Sequence, residues 1–269
     1  MTAELLQVRP ITAPAQIEVT ELSVEYTVGR QSLRVLDQVS LSVAQGSFVS
    51  LLGPSGCGKS TLLKVLAGLV QPSRGTARIG GQPPEQAVRA GHIGLVFQEP
   101  TLLPWLDAAR NAGLLLRMRD RTLSRTAVRA RAMEMLHVVG LGHAADRLPH
   151  QLSGGMRQRV GIARALALNP DVLLMDEPFA ALDAITRESM SSFLLDLWER
   201  TGKTVVLVTH SIDEAVFLSG HVHVMAAHPG RILADVGIPL PLPRTEETYT
   251  DPDFTRLAVR LRALLKEAS

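Results

Sequence analysis

The chain has 269 residues, 46% of them apolar, enough to bury a core as one large domain or two small ones. Its 28 Lys and Arg against 26 Asp and Glu give no field strong enough to imply nucleic acid, and the balance names no partner. A single cysteine excludes an internal disulfide framework and fits a reducing compartment, and no run approaches the roughly 20 apolar residues of a membrane-spanning helix, so a soluble globular protein is expected.

The opening stretch MTAELLQVRPITAPAQ, residues 1–16, reads as a loose leader without the apolar heart of a signal peptide. Beyond it, short runs rich in β-branched residues recur: IEVTELSVEY, FVSLL, HIGLVF, VLLM, TVVLVT and HVHVM, with helical patterns between most of them. That rhythm predicts an α/β fold around a largely parallel sheet. After FVSLL comes GPSGCGKST, which fits the spacing G-x-x-x-x-G-K-[ST] and leads into a helix. Gly53, Pro54, Ser55, Gly56, Cys57, Gly58, Lys59, Ser60 and Thr61 are therefore candidate phosphate-binding residues. Backbone N–H groups and a helix N-terminus converge there, Lys59 reaches toward the β- and γ-phosphates, and the Ser60 hydroxyl ligates Mg²⁺. Cys57, beside a lysine and a helix start, is either a small spacer or a thiolate that alkylation would reach. The related string TGKT at 201–204 lacks the first glycine, since Leu197 stands in its place, and a strand follows it; it is no second loop.

From about Leu102 to Gly140 only helix signals occur, with Val128, Ala132, Met135, Leu136 and Val139 on one face, so a helical insertion interrupts the α/β pattern. LSGGMRQRVGIARAL opens with Ser153, Gly154 and Gly155 at a helix start, a second candidate contact for phosphate. DVLLMDEP ends a buried strand in Asp176 and Glu177, where open α/β sheets bind ligands. Next to a phosphate loop, Asp176 is the candidate outer partner of Mg²⁺ and Glu177 the candidate base for an attacking water. TVVLVTH ends in Thr209 and His210, placing an imidazole where it could touch a γ-phosphate. His221 and His223 alternate on one strand face and with His228 raise the question of a metal, but no nearby Cys or acid completes a tetrahedral set. After Gly237 a proline-stiffened connector precedes an amphipathic helix with Phe254, Leu257, Leu261, Leu264 and Leu265 on one face, expected to pack on the body or on a second copy.

The loop, the acid pair, the histidine and LSGGMRQRVGIARAL occur together and in order, and together they resemble the ATP-binding cassette family over residues 17–240. The resemblance implies a P-loop NTPase (RecA-like) α/β core with an N-terminal antiparallel β-subdomain and an inserted α-helical subdomain at about 99–165. Residues 241–269 then form a C-terminal connector and helix. By matching position, Tyr26 in VEYTVG is similar to the aromatic that stacks on adenine, a β-strand Tyr being as often plain packing. Gln98 in LVFQEP is similar to the switch-loop glutamine that senses Mg²⁺ and the attacking water. Asp183 in AALD is similar to the acid of the loop crossing the dimer interface. The resemblance further implies a homodimer holding two ATP molecules, with Ser153 and Gly155 of one copy on the γ-phosphate held by the other. Met156 stands where Gln is commonest in that signature, a departure bearing on rate or coupling.

EPTLLPWLDAARNA, MDEPFAALDAITRESM and IPLPLPR resemble the importer branch for nitrate, taurine, alkanesulfonates and related small anions. That branch implies a subunit on the cytoplasmic face of the bacterial inner membrane, docked on permease subunits through its helical insertion and switch loop, with an extracytoplasmic binding protein choosing the cargo. A soluble cassette ATPase acting on nucleic acid or ribosomes is the alternative; such proteins usually carry two cassettes or long coiled-coil or zinc insertions. A P-loop kinase would not need LSGG, and no N-K-x-D base reader of a GTPase occurs.

Overall fold

The computed structural model describes residues 15–29 and 31–268, so the expected leader lies almost entirely outside the described residues. Two long strands, β1 (Ala15–Val28) and β2 (Gln31–Ala44), pair antiparallel. Next come β3 (Phe48–Leu52), α1 (Lys59–Leu66), β4 (Arg74–Ile79), α2 (Pro84–Ala90) and β5 (Ile93–Val96). The helical stretch holds α3 (Ala108–Ala112), α4 (Leu114–Arg119), α5 (Arg125–Val138) and α6 (Gly154–Leu166). The chain then runs through β6 (Val172–Asp176), α7 (Ala184–Thr201), β7 (Thr204–Thr209), α8 (Ile212–Leu218), β8 (His221–Ala226), β9 (Arg231–Gly237) and α9 (Pro252–Ala268).

Two sheets result. The antiparallel one has the order β2-β1-β4, and the larger has the order β5-β6-β7-β3-β8-β9, parallel except for β9. The five parallel strands are apolar almost end to end because helices or the second sheet cover both faces. Alternation along β3 sorts the core. Phe48 and Leu52 join Val205, Leu207 and the helical side, while Val49 and Leu51 join Val206, Val208, Leu62 and the antiparallel sheet's Ile17 and Leu36.

The predicted strands are all present; β2, β4 and β9 are additional. In α5 the predicted face, Val128, Ala132, Met135 and Leu136, is buried, and Gly140 at φ +74° follows its end. The helix α9 lies against β8 and α8, burying Phe254, Ala258 and Leu261. Tyr249, just before it, stacks on Phe217 of α8 with centroids 4.7 Å apart.

Two buried polar side chains hold irregular backbone. Arg244, 8% exposed, donates to the carbonyls of Val216, Phe217 and Ser219 at 3.1, 2.8 and 2.9 Å, and to Leu240 at 3.2 Å. It thus satisfies the C-terminal end of α8, and burial pulls its pKa down to about 10. Asn111, fully buried, accepts from the Leu103 N–H at 2.8 Å and donates to the Leu106 and Asp107 carbonyls at 2.8 and 3.1 Å. That fixes the loop in which Trp105 stands 69% exposed.

Candidate nucleotide site

In the register of the parallel strands Leu52 is level with Thr209, and Val208 is level with Asp176. The loop after β3, the acid pair after β6 and His210 after β7 therefore emerge at one edge of the sheet, the carboxyl edge where α/β folds bind ligands. Gln98 follows β5 at the same edge.

The loop is built by conformation as much as by composition. Gly58 has φ +95° and immediately precedes α1, and a β-carbon there would lie 2.5 Å from Leu36 Cδ2. Lys59 is 5% exposed, and its ammonium donates to the Gly53 and Pro54 carbonyls at 2.8 and 2.9 Å, so the loop closes around its own cation. Cys57 is fully buried with its Sγ 3.8 Å from Lys59 Nζ, so in this structure its side chain packs as a small spacer inside the loop. Beneath the loop lies a residue that sequence reasoning missed. Gly230, in the β8–β9 hairpin, donates to the Val35 carbonyl and accepts from the Asp37 N–H, both at 2.9 Å. A β-carbon on it would stand 2.2 Å from the Cys57 carbonyl oxygen.

The Ser60 hydroxyl donates to Asp176 Oδ1 at 2.9 Å. Burial pushes the Asp176 carboxyl up, the Ser60 bond pulls it down, and the charge of adjacent Glu177 adds to the rise. Glu177 Oε2 lies 2.9 Å from His210 Nδ1. Glu177 has φ +44°, a left-handed conformation unusual for a side chain of its size, held by a hydrogen bond from its N–H to the Val208 carbonyl at 2.9 Å.

The remaining candidates stand apart from these pairs. Ser153 caps α6, accepting from the Met156 N–H at 3.3 Å, and no hydrogen bond among the described residues joins Ser153, Gly154 or Gly155 to residues 53–61. The start of α6 instead packs on the loop after β6: a β-carbon on Gly154 would lie 3.3 Å from Leu182 Cδ2. Gln98, exposed, shares a groove of about 400 Å³ with Gly154, Pro178 and Leu182. Asp183 caps α7 through the Thr186 N–H and hydroxyl at 3.0 and 2.7 Å, bonds that hold its carboxyl below the usual range. Tyr26 lies 39% exposed on β1 opposite Leu33. Among the described residues no group of three or more His, Cys, Asp or Glu could hold a metal ion; the paired histidines are faced instead by Asp235 of β9, 3.4 Å from His221 Nδ1 and 3.6 Å from His223 Nδ1. Only the cross-strand pairing of β9, itself unforeseen, brings it there.

A sequence model of the ABC transporter family matches residues 36–180. The chain is 45% identical over 253 residues to the taurine import ATP-binding protein TauB of Pseudomonas aeruginosa, covering 91% of this chain and 93% of that one. TauB of Rhizobium johnstonii is 45% identical over 241 residues, covering 87% and 90%. Among solved structures, the dimeric post-hydrolysis state of the ATP-binding cassette MJ0796 bound to ADP and Pi superposes with a TM-score of 0.74 at 35% identity, over 84% of this chain and 100% of that one. The chain therefore belongs to the ABC transporter family, as an ATPase of its ATP-binding cassette type.

Proposed function

We propose that the chain is the ATP-hydrolysing subunit of an importer, a homodimer that closes on two molecules of Mg-ATP and drives uptake of a small anion, such as taurine, nitrate or an alkanesulfonate, through partner permease subunits. The two TauB relatives, named for taurine import, support that branch. In this reading the subunit sits on the cytoplasmic face of the inner membrane through the permease, an extracytoplasmic binding protein selects the cargo, and no nucleic acid takes part.

One observation carries the reading. The Ser60–Asp176 bond and the Glu177–His210 contact stand together at one sheet edge with the lysine-closed loop, whereas the Ser153–Gly155 turn of the same copy makes no bond to that loop. A turn at a helix start that makes no hydrogen bond to its own loop among the described residues suits the nucleotide of a second copy. Residues 53–61 would wrap the triphosphate, with Lys59 exchanging its carbonyl partners for phosphate oxygens. Tyr26 would stack on adenine and Asp183 would line the contact between copies. Glu177 would accept the proton of the attacking water, His210 orienting its carboxylate and reaching the γ-phosphate, and Gln98 would sense the attack from its groove. Ser60 and Asp176 offer hard oxygen donors 2.9 Å apart, a set that fits Mg²⁺, with Gln98 a further donor. That ion supplies neutralisation of phosphate charge.

Glu177→Gln tests the reading. Turnover should fall about 10²- to 10⁴-fold, and light scattering should show an ATP-dependent doubling of mass. Parental turnover would remove Glu177 as the base. A variant that stays monomeric with Mg-ATP and permease would remove the shared site.

A further inference from the structure

Two charges next to the strand-end cluster, Glu214 buried and Arg187 a third exposed, take no part in the roles above. Glu214, in the first turn of α8, is 6% exposed, and its Oε2 accepts a hydrogen bond from Thr209 Oγ1 at 2.6 Å. The same Thr209 hydroxyl accepts from the Ser211 N–H at 3.0 Å, so it pins the turn that carries His210. On its other side Glu214 Oε1 faces Arg187 Nε at 3.6 Å. Arg187 belongs to the first turn of α7 and donates through Nη2 to the Leu182 carbonyl at 3.0 Å, one residue before Asp183.

The contacts form a circuit. It runs from Glu177 to His210, through the backbone to Thr209, across to Glu214 and Arg187, and back through Leu182 along the chain to Glu177, a stretch that includes the fully buried Phe179. Its weakest link is the ion pair: Arg187 Nε is buried and makes no hydrogen bond, and the 3.6 Å gap exceeds N–H···O bonding distance. Burial pushes the Glu214 carboxyl up, against the Thr209 bond and the Arg187 charge that pull it down. At 3.6 Å and with Arg187 a third exposed, the pair contributes little to stability, so stability gives little reason for it. Its location between two loops that carry site residues gives one.

We propose that Arg187 and Glu214 are positioning residues, coupling the Asp183 loop to the turn bearing His210 so that a shift of that loop is felt at the Glu177–His210 contact. The inference rests on the proposed reading of the site. Closing the gap by about half an ångström would turn the ion pair into a charge-assisted hydrogen bond.

The test is the dependence of Mg-ATP hydrolysis on ATP concentration for the full chain, Glu214→Gln, Arg187→Met and the double variant. Each single variant should lower kcat about tenfold with KM within about twofold, and the double variant should be no slower than the slower single one. A parental kcat in Glu214→Gln, multiplied losses in the double variant, or a raised KM at unchanged kcat would overturn the proposal. Should those variants fail to fold, Thr209→Val removes only the hydroxyl between Glu214 and the strand end. It should show the same loss in kcat, and a parental value there overturns the proposal equally. A parental chain that neither binds nor hydrolyses Mg-ATP would sink the reading of function, and this inference with it.

Discussion

Gly230→Ala should damage the phosphate loop without touching a residue of it. The added β-carbon would sit 2.2 Å from the Cys57 carbonyl oxygen and 2.9 Å from both the Val35 carbonyl oxygen and Leu36 Cδ2. Ordinary contact distances require a displacement of about 1 Å, and the Leu36 methyl is the only neighbour of the three that moves cheaply. If the hairpin retreats, it gives up two hydrogen bonds, to Val35 and from Asp37, each contributing about 1 kcal/mol. If the loop moves instead, overpacking costs about 1–3 kcal/mol. Either route gives about 2–3 kcal/mol and a melting temperature about 5–10 °C lower for a chain of this size. A loop moved by about 1 Å also costs about 100-fold in turnover. Thermal melting without nucleotide, nucleotide affinity and phosphate release should be compared with Gly220→Ala, where the nearest atom to a β-carbon is 3.9 Å away. Equal melting temperatures and turnover for the two variants would refute the reasoning.

Three further outcomes follow from the same geometry. Because Glu177 sits at φ +44°, Glu177→Gly should be more stable than Glu177→Ala by about 1 kcal/mol, both being inactive, as read by chemical denaturation. Arg244→Met leaves three carbonyls at the end of α8 and that of Leu240 without their donor and should cost about 3 kcal/mol; a loss below about 1 kcal/mol would show that water replaces the guanidinium. The raised pKa of Glu214 means that the native state keeps its proton longer than the unfolded chain. Its stability contribution is complete below the ordinary carboxyl value of 4.5 and is lost as pH climbs through the folded value. Glu214→Gln does not titrate, so melting curves between pH 4 and 7 should move in the variant's favour as pH rises.

Strands buried on both faces announce themselves, and so β3, β6, β7 and β8 were legible as apolar runs. β4, an edge of the antiparallel sheet with the polar sequence RGTARI, and β9, an antiparallel addition at one edge of the larger sheet, carry no such run. β2 is hidden differently, since register shifts against β1 break the alternation that would reveal it. The candidate site residues stood out in the sequence because phosphate chemistry demands particular residue types at fixed spacing. What supports them was not. Gly230 and Arg244 act through contacts across tens or hundreds of residues, Asn111 bonds the irregular backbone just before it, and a lone arginine in a proline-rich stretch reads as solvent-facing until α8 is placed beside it.

The sheet order has a consequence for biosynthesis. β3 emerges well before both of its neighbours, β7 and β8, which begin about 150 and about 170 residues further along the chain, a stretch that a ribosome adding 5–20 residues per second takes roughly 10–30 s to make. Throughout that interval a five-residue apolar strand has two unpaired edges, the kind of surface on which nascent chains stick to one another. The candidate phosphate loop is thus translated well before the strands that scaffold it, and chaperone demand during expression should be set by the wait between those two moments.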